Sequence, residues 1–169
     1  MSKEDKEISQ SCEVRLINEE DLPQVSSIYA EAFNGADVGE KWIQEKAEKF
    51  MKYWFERQSD LFFVATYEGQ IVGGIVADIL PWWDGPHLVD GELFVRPELQ
   101  KQGIGQRLFE TLLEEAIKKY QIVEIDGLAY KQHKFPLEWY KKIGFKETDL
   151  IHIYGNPQEV LENLKKPIV

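Results

Sequence analysis

The chain has 169 residues, 43% of them hydrophobic and 30% charged, with a formal net charge of −10. This predicts one soluble globular domain that buries about two-thirds of its unfolded surface. The acidity excludes nucleic acid as a main partner, since phosphate binding needs basic patches; it serves solubility first and also suits a cationic substrate.

A single cysteine, Cys12, excludes an internal disulfide and a cysteine-cluster metal site, and the three histidines, His87, His133 and His152, are dispersed, so no metal is expected. No stretch approaches the roughly 20 apolar residues of a membrane span. The polar N-terminus, MSKEDKEISQ, is no signal peptide. A cytoplasmic protein is the expectation.

Residues 1–11 are expected to be a disordered lead-in, with one domain over 12–169. Cys12 to Ile17 alternates and suits a first strand. Asp21 can cap a helix carrying Pro23 in its first turn, with Val25, Ile28, Tyr29 and Ala32 facing inward. Asn34–Asp37 breaks it. A second helix is predicted from about Gly39 to Gln58. Ile43, Ala47, Phe50, Met51 and Trp54 form its apolar stripe, widened by Trp42, Tyr53 and Phe55.

Leu61–Thr66 and Ile71–Leu80 are strands joined by the hairpin sequence Tyr67–Gln70. Gly73 and Gly74 predict a bulge or a close backbone approach. The loop Pro81–Pro86 holds Trp82 and Trp83, at least one of which is expected to face a ligand or a partner subunit unless the loop folds onto the second helix. Leu88–Val95 is a fourth strand and Ile122–Leu128 a fifth. Phe135–Ile143 is a short helix stopped by Gly144. Phe145–Tyr154 predicts one or two further strands, and Pro157–Lys165 a last helix.

Between the fourth strand and the third helix lies Gln100-Lys101-Gln102-Gly103-Ile104-Gly105. Ile104, Leu108, Leu112 and Ala116 recur every four residues, with Phe109, Leu113 and Ile117 beside them. A strand, a glycine turn and a helix start leave backbone N–H groups aimed at an anion such as a pyrophosphate. The N–H groups from Gln102 to Gln106 are the candidates, with Lys101 or Arg107 adding charge. The two glycines alone fit close helix–strand packing equally well.

The run V-x-P-x-x-Q-x-x-G-x-G, Val95 to Gly105, closely resembles the coenzyme A signature of the GCN5-related N-acetyltransferases (GNAT). Trp139-Tyr140-Lys141-Lys142-Ile143-Gly144-Phe145 resembles that family's aromatic-Tyr-x-x-x-Gly-Phe segment, in the right order. The resemblance covers roughly residues 12–155. It implies a mixed α/β fold: one GNAT-like domain with a mostly antiparallel central sheet, splayed between strands 4 and 5, and helices on both faces.

The resemblance also implies acetyl-CoA as acyl donor. Its pyrophosphate would sit at Gln100–Gln106, and its pantetheine arm along Phe94 and Val95. The Val95 N–H would donate to the oxyanion, a contribution of about 3 kcal/mol. Tyr140 would protonate the departing thiolate. Glu92 is the preferred base or substrate anchor, with Asp90 expected on the same strand face because side chains alternate. Trp82, Trp83 and Asp90 are the candidate acceptor-binding residues.

Three positions depart from the family pattern: Gly91 where an acid is common, His133 where Asn is usual, and Pro136 where Ala is common. The expected activity is acetyl transfer to a primary amine by direct attack in a ternary complex, most simply onto a small cationic amine. A protein N-terminus or lysine as acceptor, or a non-catalytic acyl-CoA sensor, are the alternatives. A homodimer fits family habit.

Overall fold

The computed structural model describes residues 11–36, 39–131 and 134–165, and of Lys134 and Phe135 the backbone alone. The expected lead-in, apart from Ser11, and His133 lie outside the described residues. Two compact units form, one to Leu128 and one from Ala129.

The first unit holds β1 (Glu13–Leu16), α1 (Leu22–Gly35), α2 (Gln44–Gln58), β2 (Phe62–Tyr67), β3 (Gln70–Pro81), β4 (Pro86–Val95), α3 (Ile104–Tyr120) and β5 (Glu124–Ile125). Its sheet has the order β1-β2-β3-β4-β5. The first four strands are antiparallel, and β4 with β5 is parallel. Strand side chains alternate, so the sheet supports two cores. Phe62, Val64, Val76 and Phe94 pack with α1 and α2. Phe63, Ala65, Ile75 and Val95 pack with α3. Helices therefore cover both faces, as expected.

The predicted column on α3 is buried at Ile104, Leu108, Leu112 and Ala116, while Ile117 at its margin is 52% exposed. Burying each branched residue contributes roughly 2 kcal/mol. Helix α1 buries Val25, Ile28, Tyr29 and Ala32, again as expected. Asp21 stands at its N-cap position but makes no side-chain cap. Its carboxylate instead pairs with Arg15 at 2.6 and 2.9 Å and accepts the Asn18 N–H at 2.8 Å.

Helix α2 begins at Gln44 rather than near Gly39. Asn34 explains the delay. Its side chain accepts the Trp42 N–H and donates to the Trp42 carbonyl, both at 2.8 Å, which holds the preceding loop extended. Ile43 becomes an extended N-cap and is exposed rather than part of the stripe.

Both expectations for the double glycine hold. The β2–β3 register slips by one residue between Ala65 and Thr66, opposite Gly73 and Ile71. A Cβ on Gly73 would lie 2.6 Å from the Phe94 carbonyl, and one on Gly74 would lie 2.7 Å from the Phe94 ring. The glycines let β3 run close beneath Phe94.

In the second unit are α4 (Lys134–Lys142) and α5 (Pro157–Leu164). Gly144, at φ +110°, ends α4 as expected. No strand forms among the described residues of 145–154, contrary to expectation. The other elements of this unit are helices and offer no ladder partner, so Leu150, Ile151, Ile153 and Tyr154 stay exposed. Strand β5 is also shorter than predicted, although the Val123 and Asp126 N–H groups, bonded to the Pro86 and Leu88 carbonyls, extend its pairing slightly.

Candidate active site

Strand β4 carries one residue more than β3. Val76 faces Glu92 and Asp78 faces Val89, so Asp90 and Gly91 together oppose Ala77. This is a β-bulge, with Asp90 at φ +52°. It corrects the expectation that Asp90 and Glu92 share a face by simple alternation. Before the bulge, Leu88 packs on the α3 side; after it, Leu93 and Val95 do. Glu92 and Phe94 therefore turn to the α1–α2 side, where Tyr29 meets both.

The bulge also decides which backbone groups are open. The Arg96 N–H bonds the Val72 carbonyl at 2.9 Å. In an antiparallel ladder such pairs recur every second residue, so Phe94, opposite Gly74, also bonds toward β3. The N–H and C=O of Leu93 and Val95 point the other way. Pairing of β4 with β5 ends at Leu88 and Ile125, closed by the Asp126 N–H on the Leu88 carbonyl at 2.9 Å. Beyond that point β4 runs on to Val95 with an edge that no strand pairs among the described residues. The expected splay is present, but its edge groups belong to Leu93 and Val95. The Phe94 backbone is engaged with β3, which corrects its expected place on that edge. Gln100 Nε2 takes the Val95 carbonyl at 3.0 Å, tying the turn to the strand end.

The turn beyond β4 is built as the sequence suggested. Lys101 has φ +64°, and Gly103, the N-cap of α3, has φ +85°. The first helical bond runs from the Arg107 N–H to the Gly103 carbonyl, so the amides of Ile104, Gly105 and Gln106 precede the ladder. Gly105 is spaced for a helix start against β4: an added Cβ would meet Leu93 and Val95 at ordinary contact distance. Arg96 Nε, at the strand exit, is buried with no hydrogen-bond partner, as is Gln102 Oε1. The buried, unpaired Arg96 donor beside a helix N-terminus fits a site made for an anionic guest, whereas Gln102 Oε1, an acceptor, offers an anion nothing.

Glu92 is the acid at this site. Burial pushes its carboxyl up to about 7. The Tyr29 hydroxyl, donating at 3.3 Å to Oε2, pulls the other way, while the charges of Glu40 and Asp90 push further up. Around Tyr29 stand Phe33, Trp42, Phe50 and Phe94, with ring centroids 4.5–5.4 Å away. Trp42 Nε1 donates to Glu40. Tyr29 was legible as an inward helix residue but not as the partner of Glu92, because the bulge that brings them together leaves no mark in residue type. Glu40 fell inside the predicted second helix and carried no signal.

Trp82 and Trp83 are both exposed, at 53% and 87%. They occupy a tight turn closed by bonds of 3.0 and 3.3 Å between Trp82 and Gly85. This turn precedes β4, whereas the glycine turn follows it. Six strand residues, about 20 Å, separate it from Glu92. The structure does not bring these tryptophans to the acid. In the second unit, Tyr140 is half-buried and packs against Trp139 and Phe145, with centroids 5.2 and 5.1 Å apart. Lys141 pairs with Glu147 at 2.5 Å across the end of the same helix.

The model of the acetyltransferase (GNAT) domain matches residues 58–147, more than half of the chain. The chain belongs to the GNAT family.

Other similarities agree with this GNAT assignment. An uncharacterised N-acetyltransferase of Methanocaldococcus jannaschii is 28% identical over 82% of this chain and 62% of its own length. The chain thus spans less than two-thirds of that relative. A second uncharacterised N-acetyltransferase, from Archaeoglobus fulgidus, is 28% identical over 63% of this chain and 75% of its own. The solved PaiA N-acetyltransferase of Thermoplasma acidophilum, in complex with coenzyme A, is 25% identical with a TM-score of 0.69, covering 83% of this chain and 93% of that one. The GNAT domain is an acetyltransferase domain, and acetyl-CoA fits as its donor. The open edge at Leu93 and Val95 can pair with the pantetheine amides, and the α3 N-terminus can take the pyrophosphate. No helix among the described residues is long and apolar enough to cross a membrane.

Proposed function

We propose that the chain transfers an acetyl group from acetyl-CoA to the primary amine of a small cationic acceptor, by direct attack in a ternary complex, with residues 12–169 working as one catalytic domain. The family match running through both compact units supports that last point. The observation that carries the reading is a half-buried carboxylate, Glu92, on the strand that also presents an open Val95 amide.

Glu92 accepts a proton from the acceptor ammonium. Its position near 7 matters here. Moving a proton from an amine of pKa about 10.4 to an ordinary carboxylate of about 4.3 costs about 8 kcal/mol, whereas a carboxylate near 7 lowers that to about 5 kcal/mol. A turnover of about 10 per second corresponds to a barrier of about 16 kcal/mol, which leaves room for the smaller cost.

The neutral nitrogen then attacks the thioester carbon. A C–N bond forms while the carbonyl electron pair moves to oxygen, where the Val95 N–H stabilises it. Collapse breaks the C–S bond. The attacking nitrogen loses a second proton to solvent, and Tyr140 gives one to the thiolate and regains it from solvent. The sum releases one proton. Glu40 and Asp90 add negative charge near Glu92, which favours a cationic acceptor. The aromatic rings around Tyr29 give that acceptor's carbon chain an apolar wall.

Replacing Tyr140 with Phe tests the assignment. Calorimetric titration with acetyl-CoA is expected to give the same micromolar affinity as the parent protein. Thiol release on a panel of polyamines and aminoglycosides is expected to fall about 100-fold or more. Full activity in Tyr140→Phe would remove Tyr140 from the chemistry. Absence of acetyl-CoA binding to the parent protein would remove the whole reading.

A further inference from the structure

At the far end of β4 from the glycine turn, four side chains converge that acetyl transfer does not use. His87 is buried, its side chain 7% exposed. Its Nε2 lies 2.9 Å from Asp84 Oδ1, and its Nδ1 lies 3.3 Å from Asp126 Oδ2. Glu124 is the direct neighbour of His87 in the parallel β4–β5 register. Leu88 and Ile125 belong to the α3-side core, so alternation puts His87 and Glu124 together on the opposite face. One ligand atom each from Asp84, His87 and Glu124 fall within 4.8 Å of one another.

We propose that Asp84, His87 and Glu124 bind a divalent transition-metal cation, with Asp126 orienting the imidazole from behind. Three features of the cluster carry this. Both His87 nitrogens face carboxylates, which a doubly protonated imidazole meets by donating twice and a neutral one meets when a cation takes the place of one hydrogen. Even a protonated His87 supplies one positive charge against three carboxylates. A divalent ion beside a neutral imidazole leaves a single net negative charge.

One pair in the cluster has the spacing of adjacent ligands. Two ligands bound about 2.1 Å from one ion in adjacent positions stand about 3 Å apart, and Nε2 and Asp84 Oδ1 are 2.9 Å apart. Asp126 on Nδ1 completes the carboxylate–histidine–metal arrangement that fixes the tautomer with Nε2 free to ligate. Asp84 and Asp126 are 35% and 52% exposed, which opens a path from solvent. An imidazole with two carboxylates suits Zn²⁺, Mn²⁺ or Co²⁺ better than Mg²⁺ or Ca²⁺, and water would complete the shell. The ion would join the β3–β4 turn to the start of β5. It would thus clamp the closed end of the wedge whose open end is the Leu93–Val95 edge. Sequence spacing hid the site because its carboxylates are three residues before His87 and one strand away, among 30 acidic residues.

The test uses the tag-free full-length protein. Zn²⁺ is expected to raise the melting temperature by about 5 °C at roughly 100 times its dissociation constant. Co²⁺ is expected to quench tryptophan fluorescence through Trp82, whose ring centroid is 6.2 Å from that of His87. The quench is expected to vanish in Trp82→Phe. Both metal effects are expected to disappear in Glu124→Gln, whose parent side chain is exposed and needs no refolding. His87→Gln is expected to lose them too; should it fail to fold, Asp84→Asn replaces it. A parent protein with neither effect overturns the proposal, as do effects that survive in Glu124→Gln and Asp84→Asn.

Discussion

The Tyr29 hydroxyl donates to Glu92 Oε2 at 3.3 Å, from a ring that is 2% exposed. A helix residue and a strand residue 63 positions apart thus share one hydrogen bond at the foot of the aromatic wall. The bond favours the ionised carboxylate, against burial and the charges of Glu40 and Asp90.

Tyr29→Phe keeps the ring and removes the donor. The Glu92 carboxyl then rises further above 7. Because the proposed base works ionised, the acid limb of kcat/KM against pH is expected to move upward by about half to one pH unit. A pH–rate profile over the range 5.5–9 measures this. An unmoved limb would show that Glu92 does not set the rate, or that the hydroxyl does not act on it.

Glu92→Gln is expected to cut kcat/KM about 100-fold or more, with acetyl-CoA affinity unchanged. The same change is expected to stabilise the fold. A carboxyl at about 7 in the folded state, against 4.5 ordinarily, holds its proton more tightly when folded. Its contribution to stability is whole below about pH 4.5 and is lost as pH rises toward 7, a fall of about 3 kcal/mol. Gln has no such proton to lose. Urea unfolding at pH 5 and pH 8 should therefore show a gap between variant and parent that widens at the higher pH.

Gly103 and Gly105 are expected to respond differently to alanine. Gly103 holds φ +85°, so Gly103→Ala costs about 1–2 kcal/mol of strain or reshapes the turn, and acetyl-CoA affinity is expected to drop about tenfold. The Cβ of Gly105→Ala meets only side-chain carbons at 3.8 Å or more, so this variant is expected to fold and bind as the parent does. Calorimetric titration separates the two.

What the sequence made legible and what it hid divide along physical lines. The glycine turn and α3 could be foreseen because their signals are local: a period of four and a residue type that tolerates positive φ. The start of α2 could not, since it is set by Asn34 gripping Trp42 across the interhelical loop. The segment 145–154 has strand-forming residues, but a strand also requires a neighbour, and composition does not say whether one is at hand. The bulge in β4 is the hardest case. Its positive φ falls on Asp90, a residue type that tolerates that region, and not on the adjacent Gly91, where glycine's freedom would place it first.

That single inserted position works as a parity switch for everything downstream in β4. Were the ladder regular beyond Val89 with every residue kept, Asp90 would oppose Ala77, Gly91 Val76 and Glu92 Ile75, so every side chain from there on would change sides. Glu92 would then lie on the α3 side with Ile75 instead of meeting Tyr29, and the amides of Leu93 and Val95 would be spent on β3. The half-buried carboxyl and the open edge would be lost together, although neither residue had been touched. Deleting Asp90 or Gly91 closes the ladder one to one and leaves these downstream faces as they are, whereas a register that absorbs the extra residue turns them all over.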